Sequence, residues 1–341
     1  MKIDILSLNF EEVLAIANEL GEPKFRAQQI FEWLHKRHAV SFEEMNNLPL
    51  SLRKKLEDKC EIFGLQEIEK LESKKDGTIK FLSKTHDNAL IESVLMSYKH
   101  GESVCISTQA GCRMGCKFCA SAEQGLHRNL STGEYLAQVY MAYKSSVHGI
   151  KGIVLMGCGE PLDNFDATVN FIELITHPTS LNIGARHITL STCGLVPEIY
   201  KLAEKKMQIT LAISLHATNN KIREEIMPIA KKYDLNELIK ACRFYAKKTN
   251  RRLTFEYALT RDINSSREHA LELAKLLKGL LCHVNLIPIN KARGEFSPAS
   301  KKETEEFALV LEKNNIPVTI RRSLGGDVNA ACGQLRLRHL L

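Results

Sequence analysis

Residues 103–119 read SVCISTQAGCRMGCKFC, a β-branched run followed by a polar loop that carries Cys112, Cys116 and Cys119. The run has the composition of a strand, and the pattern of the chain changes there. From about residue 103 short apolar runs alternate with longer helical segments. The runs are SVCIST, GIVLMG, HITLST, ITLAISLH, RLTFEYAL and HVNLIPI, and between them lie GEYLAQVYMAYKSSV, DATVNFIELIT, PEIYKLAEKK, DLNELIKACRFYAKK and REHALELAKLLKG. Strand–helix alternation predicts parallel strands joined by crossover helices. The expected fold is therefore α/β, an open or partial (βα)6 barrel. In such barrels chemistry gathers at the C-terminal ends of the strands, which is where the cysteine loop falls.

Upstream the pattern is different. Residues 1–65 read as helical, with Phe25, Gln29, Ile30, Trp33 and Leu34 at helical spacing and Ser51 as an expected cap after a Pro break. They predict a small N-terminal helical domain. Residues 66–100 read as a β-hairpin extension, GTIKFLS and NALIESVLMS around the turn THDN, and 101–341 as the α/β domain that carries the cysteine loop. The 341 residues are 44% hydrophobic and 26% charged, ordinary for a folded soluble chain. The first residues lack the basic-then-apolar pattern of a signal peptide. No uncharged apolar run approaches the ~18 residues of a membrane span. A cytoplasmic protein is expected, in which ten cysteines point to metal binding or catalysis rather than disulfide staples. The formal charge of +7, with Lys24, Arg26, Lys36, Arg37, Arg53, Lys54 and Lys55 early in the chain, fits either a solvated helix face or attraction to RNA.

Three readings compete for the C-x3-C-x2-C loop. Core packing is disfavoured by Arg113, Gly115 and Lys117. Structural zinc wants four closed ligands, for which His127 would have to serve as the fourth. A four-iron cluster held by three thiolates keeps one iron open to a small molecule. Polar residues recur after the later strands: Gly159 and Glu160, Ser191, Ser214 with Leu215 and His216, and Asn290.

The spacing of Cys112, Cys116 and Cys119 after the first strand, with Phe118 before the last cysteine, resembles the radical S-adenosylmethionine (SAM) enzymes. With GEPL, SLHA, MPI, FEY, NLIPIN and VTIRRSLGGDVNAACGQL, the chain resembles, over nearly its whole length, the RlmN family of adenine-C2 RNA methyltransferases. The resemblance implies a radical-SAM barrel and a [4Fe-4S] cluster on the three cysteines. Gly159, Glu160, Ser191, Ser214, Leu215, His216 and Asn290 would contact SAM, used twice per turnover. Cys332 would accept the first methyl group, and a deoxyadenosyl radical from the second SAM would abstract hydrogen from it. The carbon radical then adds to the base, Glu92 acts as general base, and Cys105 resolves the adduct through a disulfide. The implied partners are 23S rRNA, tRNA and an electron donor such as flavodoxin or ferredoxin, with no membrane and a monomeric chain. Cys158 and Cys193 depart from the usual pattern; both fall near the expected SAM pocket and read as packing residues. A Cfr-type adenine-C8 methyltransferase is the nearest alternative, and a zinc-stabilised RNA-binding protein without catalysis the second.

Overall fold

The computed structural model describes residues 2–99, 101–288, 296–322, 324–328 and 335. Three helices open the chain: α1 (Phe10–Glu19), α2 (Lys24–His35) and α3 (Leu50–Lys59). Ahead of α1, Ile3–Asp4 pairs in parallel with Cys60–Glu61, so the helical segment is tied at both ends by a short strand pair. The helix begins only at Phe10 because Asn9 and Glu12 form a reciprocal capping box. Ser51 lies inside α3, whose N-cap is Pro49, and so is not the cap expected from sequence.

Ten strands then form one sheet in which spatial order follows chain order. The first four are β1 (Gln66–Glu72), β2 (Ile79–Lys84), β3 (Leu90–Tyr98) and β4 (Gly101–Cys105), paired antiparallel. The remaining strands are β5 (Ile150–Leu155), β6 (Ile188–Thr192), β7 (Thr210–Ser214), β8 (Leu253–Leu259), β9 (Cys282–Pro288) and β10 (Val318–Ile320). From β4 to β10 every neighbouring pair is parallel. The crossovers carry α4 (Thr132–Ser145), α5 (Phe165–Thr176), α6 (Val196–Glu204), α7 (Asn220–Ile226), α8 (Leu235–Thr249), α9 (Arg267–Leu277) and α10 (Lys301–Lys313). Capping boxes at Ser131/Glu134, Asp234/Glu237 and Ser300/Glu303 start α4, α8 and α10. Among the described residues β10 and β1 do not pair, so the barrel is open. The six expected parallel strands are present, and β10 adds a seventh.

The helical segment docks on α4. Asp4 accepts a hydrogen bond from Ser131 at 3.0 Å, and the Gly133 N–H donates to the Ser7 hydroxyl at 2.8 Å. Deeper in the same contact, His35 Nδ1 lies 3.0 Å from the Tyr140 hydroxyl, and the His38 ring stacks on Tyr140 at 4.1 Å. Burial, then neighbouring positive charge, pushes His35 down to about 3 and His38 to about 4. His216, buried in the barrel, is also held at about 3 by burial and then Arg223.

All three imidazoles fold neutral. Below pH ~6.5 the unfolded chain binds protons that the folded chain refuses, so this contribution is complete above that pH and is lost as pH falls towards 3–4. Each group contributes about 1.4 kcal/mol per pH unit. Urea unfolding is therefore expected to show a lower stability at pH 5.5 than at pH 7.5, by up to ~4 kcal/mol, against the opposing protonation of Asp4, Glu160 and Glu256, whose pKa values burial raises. Equal stabilities at the two pH values would contradict the buried-neutral assignment.

Candidate active site

The C-terminal ends of the parallel strands converge on a cleft of about 260 Å³. The loop after β4 brings Cys112, Cys116 and Cys119 to its wall, and a backbone hydrogen bond from Cys119 N–H to Cys116 C=O at 3.1 Å folds the last two ligand positions into a turn. Gln109 ties this loop to the one after β5. Its side chain accepts from the Glu160 N–H at 2.9 Å and donates to Asp163 at 2.8 Å. Arg113 reaches the same Asp163 carboxylate with Nε at 2.9 Å. The cysteine loop is thus braced against the residues that follow β5.

The Gly157–Glu160 turn can lie there only because it lacks side chains at two positions. A Cβ on Gly157 would sit 2.5 Å from the Ile106 carbonyl oxygen, and one on Gly159 would sit 2.7 Å from the Gln109 nitrogen. Gly159 also has φ +110°, which L side chains rarely adopt. Gly159→Ala is expected to displace the turn and the Glu160 carboxylate with it, at a cost of about 1–3 kcal/mol. Chemical denaturation checks this, and a wild-type midpoint in the variant would contradict it.

Glu160 is buried and accepts from the backbone N–H groups of Leu162 at 3.1 Å and Cys193 at 2.7 Å. Burial raises its pKa, and those N–H donors oppose the rise. Ser191, Ser214 and His216 line the cleft from the ends of β6 and β7. His216 has a left-handed backbone (φ 55°), and its Nδ1 accepts from the Ala258 N–H at 3.0 Å, so the ring proton resides on Nε2. The Phe118 ring meets His216 edge-on at 4.9 Å. Leu215 belongs to the main hydrophobic core, so its side chain is not a cleft surface. Asn290 and Cys332 lie outside the described residues.

The three thiols suit a cationic iron–sulfur group. Burial pushes Cys116 up to about 12, with the charges of Cys119 and Glu160 adding to it, and Cys112 is raised for the same principal reason. Soft sulfur donors gathered where their thiolates would repel one another fit a soft metal centre that compensates their charge. Three of them on one short loop leave a coordination position open, as a reactive centre requires.

Cys105 ends β4 and packs with Val94 and Met96, close to Leu324 and to Met156 on the cleft wall. Glu92 in β3 is buried, with its carboxylate 3.2 Å from the Lys80 ammonium. Removing one partner strands a buried charge. Lys80→Met is therefore expected to destabilise the fold by about 3–5 kcal/mol in chemical denaturation, and a change below ~1 kcal/mol would contradict the pairing.

Of the two atypical cysteines expected near the SAM pocket, Cys193 lines the cleft, whereas Cys158 is buried and not among the residues lining it. Other contributors escaped the sequence reading. Glu256 and Arg321 also line it, with Asn285 donating to Glu256 at 2.8 Å. Past β10 the chain returns to the β1–β2 turn. The Gly325 N–H donates to Asp76 at 2.8 Å and Ser73 donates to Asp327 at 2.7 Å. Leu324 is thereby placed beside Cys105, eight residues before Cys332. No periodicity signals such a clasp. The position of Arg321 just after VTI was the available cue for it, and for Glu256 the cue was an acid inside the largely apolar run RLTFEYAL.

In the N-terminal segment much of the early basic charge is engaged locally. Arg26 donates to Gln29 and Asn47, Arg53 to the Glu43 carbonyl and Lys55 to the Leu20 carbonyl, while Arg37 stacks on Trp33 at 4.4 Å. Among the described residues no helix is long and apolar enough to cross a membrane, and no two cysteines are joined by a disulfide.

Comparison with known proteins agrees with this geometry. Residues 3–62 match the model of the ribosomal RNA large subunit methyltransferase N-terminal domain, and residues 106–275 match the radical SAM superfamily. The chain is 52% identical over 338 residues to a Clostridium novyi protein, covering 99% of this chain and 98% of the relative. It is 50% identical over 340 residues to one from Alkaliphilus metalliredigens, covering 99% and 96%. Both bear the name "Probable dual-specificity RNA methyltransferase RlmN". The crystal structure of a radical SAM methyltransferase from Sphaerobacter thermophilus superposes with a TM-score of 0.93 at 42% identity, covering 97% of this chain and 98% of that one.

Proposed function

The chain belongs to the RlmN family of radical SAM methyltransferases, and from that premise we propose that it methylates carbon 2 of adenine in 23S rRNA, at the peptidyl transferase centre, and in tRNA, beside the anticodon. The observation that carries the reading is the loop of three cysteines opening into the strand-end cleft. The name shared by its relatives supports the substrate class.

In this reading Cys112, Cys116 and Cys119 hold the [4Fe-4S] cluster. Gly159, Glu160, Ser191, Ser214, the backbone of Leu215, His216 and Asn290 receive SAM. When bound, the cluster supplies the electron that cleaves the sulfonium of SAM reductively. Carbon 2 of adenine is electron-poor, so direct attack on a sulfonium methyl is unfavourable there, whereas a thiolate is a good methyl acceptor. Cys332 takes that role. The clasp at Asp76 and Asp327 holds Leu324, eight residues earlier in the sequence, beside Cys105. Once the methyl-derived carbon on Cys332 has bonded to carbon 2 and the adduct has returned one electron to the one-electron chain that supplied the first, Glu92 would remove the ring proton from the base, which must be drawn out of its stack to reach the barrel. The Cys105 thiolate then attacks the Cys332 sulfur, a disulfide forms, and the sulfur–carbon electron pair passes to the departing carbon, which takes up a proton.

Lys24, Lys36 and Lys54, exposed on the helical segment, provide phosphate contacts. The protein is placed in the cytoplasm as a monomer, reduced by a flavodoxin- or ferredoxin-like donor. The test is mass spectrometry of rRNA and tRNA after incubation with the reconstituted protein and a reductant. The reading expects 2-methyladenosine in both RNAs. 8-Methyladenosine, or no product, would overturn it.

A further inference from the structure

Arg223 on α7 is fully buried, yet among the described residues no carboxylate forms an ion pair with it. Its guanidinium instead spans strand ends. Nη2 donates to the Cys193 carbonyl at 2.6 Å and to the Ser214 carbonyl at 3.4 Å, and Nε donates to the Leu215 carbonyl at 3.3 Å. Nη1 is buried with no hydrogen-bond partner. Gly194, at φ +106°, makes room for this approach, since a Cβ there would lie 3.3 Å from Nη2. A buried cation bonded only to neutral carbonyls, with one nitrogen idle, is costly unless something supplies the missing negative charge.

The surroundings show where that charge belongs. The Ile226 carbonyl, at the end of the same helix, accepts from the Lys117 N–H of the cysteine loop at 3.0 Å. Ile222 and Ile226 pack in one cluster with Cys193, Cys116 and Phe118. The nearby carboxylate of Glu160 is taken up by backbone N–H groups, including that of Cys193, whose carbonyl faces Arg223.

We propose that the missing counter-charge is the thiolate-bound iron–sulfur cluster, and that Arg223 is a positioning residue that raises the cluster's reduction potential. The proposal rests on Cys112, Cys116 and Cys119 holding that cluster. Three thiolates make the assembly anionic, and the electron it takes from a one-electron donor makes it more so. A fixed buried cation therefore stabilises the reduced form more than the oxidised one, since net charge and hydrogen bonding set such potentials. Helix α7 thus couples a charge to the cleft without lining it.

The test is an EPR-monitored potentiometric titration of the full-length, anaerobically reconstituted protein as wild type, Arg223→Gln and Arg223→Lys, with dithionite as reductant and iron and sulfide counted in each. The Gln variant is expected to bind its electron about tenfold more weakly, a downward shift of ~59 mV for a one-electron couple. The Lys variant should stay close to wild type. Retention of iron by Lys but not by Gln would also support the proposal, because the charge would then be needed to hold the anionic cluster. A wild-type midpoint in Gln overturns it. So does a Lys variant that falls as far as Gln, or loss of iron from both, since the carbonyl clamp rather than the charge would then be what matters. A wild type without iron and sulfide would instead defeat the assignment of the three cysteines.

Discussion

Replacing Cys116 with alanine is expected to abolish RNA methylation while leaving the fold in place. The side chain is half-buried on a loop, outside the main core, so its loss costs the fold little, about 1 kcal/mol. Its loss to the site is larger. Two soft donors remain where three are needed, and with them the cluster loses the grip that leaves one position open for SAM. Iron and sulfide per chain should fall from about four each to near zero, and deoxyadenosine release from SAM should fall to background. Circular dichroism separates this outcome from unfolding. A variant that kept its full cluster and cleaved SAM at the wild-type rate would show that the loop serves another purpose.

Replacing Cys105 with alanine is expected to halt the reaction at a different point. The thiol is 6% exposed and packs with Val94 and Met96 beside Leu324, so the smaller side chain leaves a minor cavity and the fold persists. In the proposed mechanism the cluster and the first methylation, on Cys332, do not use this thiol, and only release needs it, to attack the Cys332 sulfur. The protein should accumulate covalently attached to its RNA, visible as a shifted band on a denaturing gel, with turnover at background. Multiple-turnover methylation at the wild-type rate would remove Cys105 from the mechanism.

What was legible in the sequence was what the chain writes contiguously. Cys112, Cys116 and Cys119 lie on one loop, so their spacing is visible before folding. The strands from β4 to β9 are apolar because helices cover them, and the alternation with α4–α9 exposes the parallel sheet. β10 is three residues long, and β1, GlnGluIleGluLysLeuGlu, is largely solvent-facing at the sheet edge. Neither carries enough apolar signal to stand out. Ile3–Asp4 is helix-like in composition and becomes a strand only because Cys60–Glu61 lies beside it. Arg223 reads as one charge on a short polar helix until folding brings it under the carbonyls of Cys193 and Ser214. The Asp76–Gly325 and Ser73–Asp327 bonds join residues about 250 positions apart, a link no local pattern encodes. The family resemblance implies a SAM contact at Leu215 as at its polar neighbours, yet alternation along β7 turns its side chain into the core.

Whether three thiols at the mouth of the barrel grip an iron–sulfur cube is decided by counting metals and acid-labile sulfide in the anaerobically reconstituted wild-type protein. About four iron and four sulfide per chain are expected. About one zinc with no sulfide, the signature of a closed structural site, would contradict the iron–sulfur assignment.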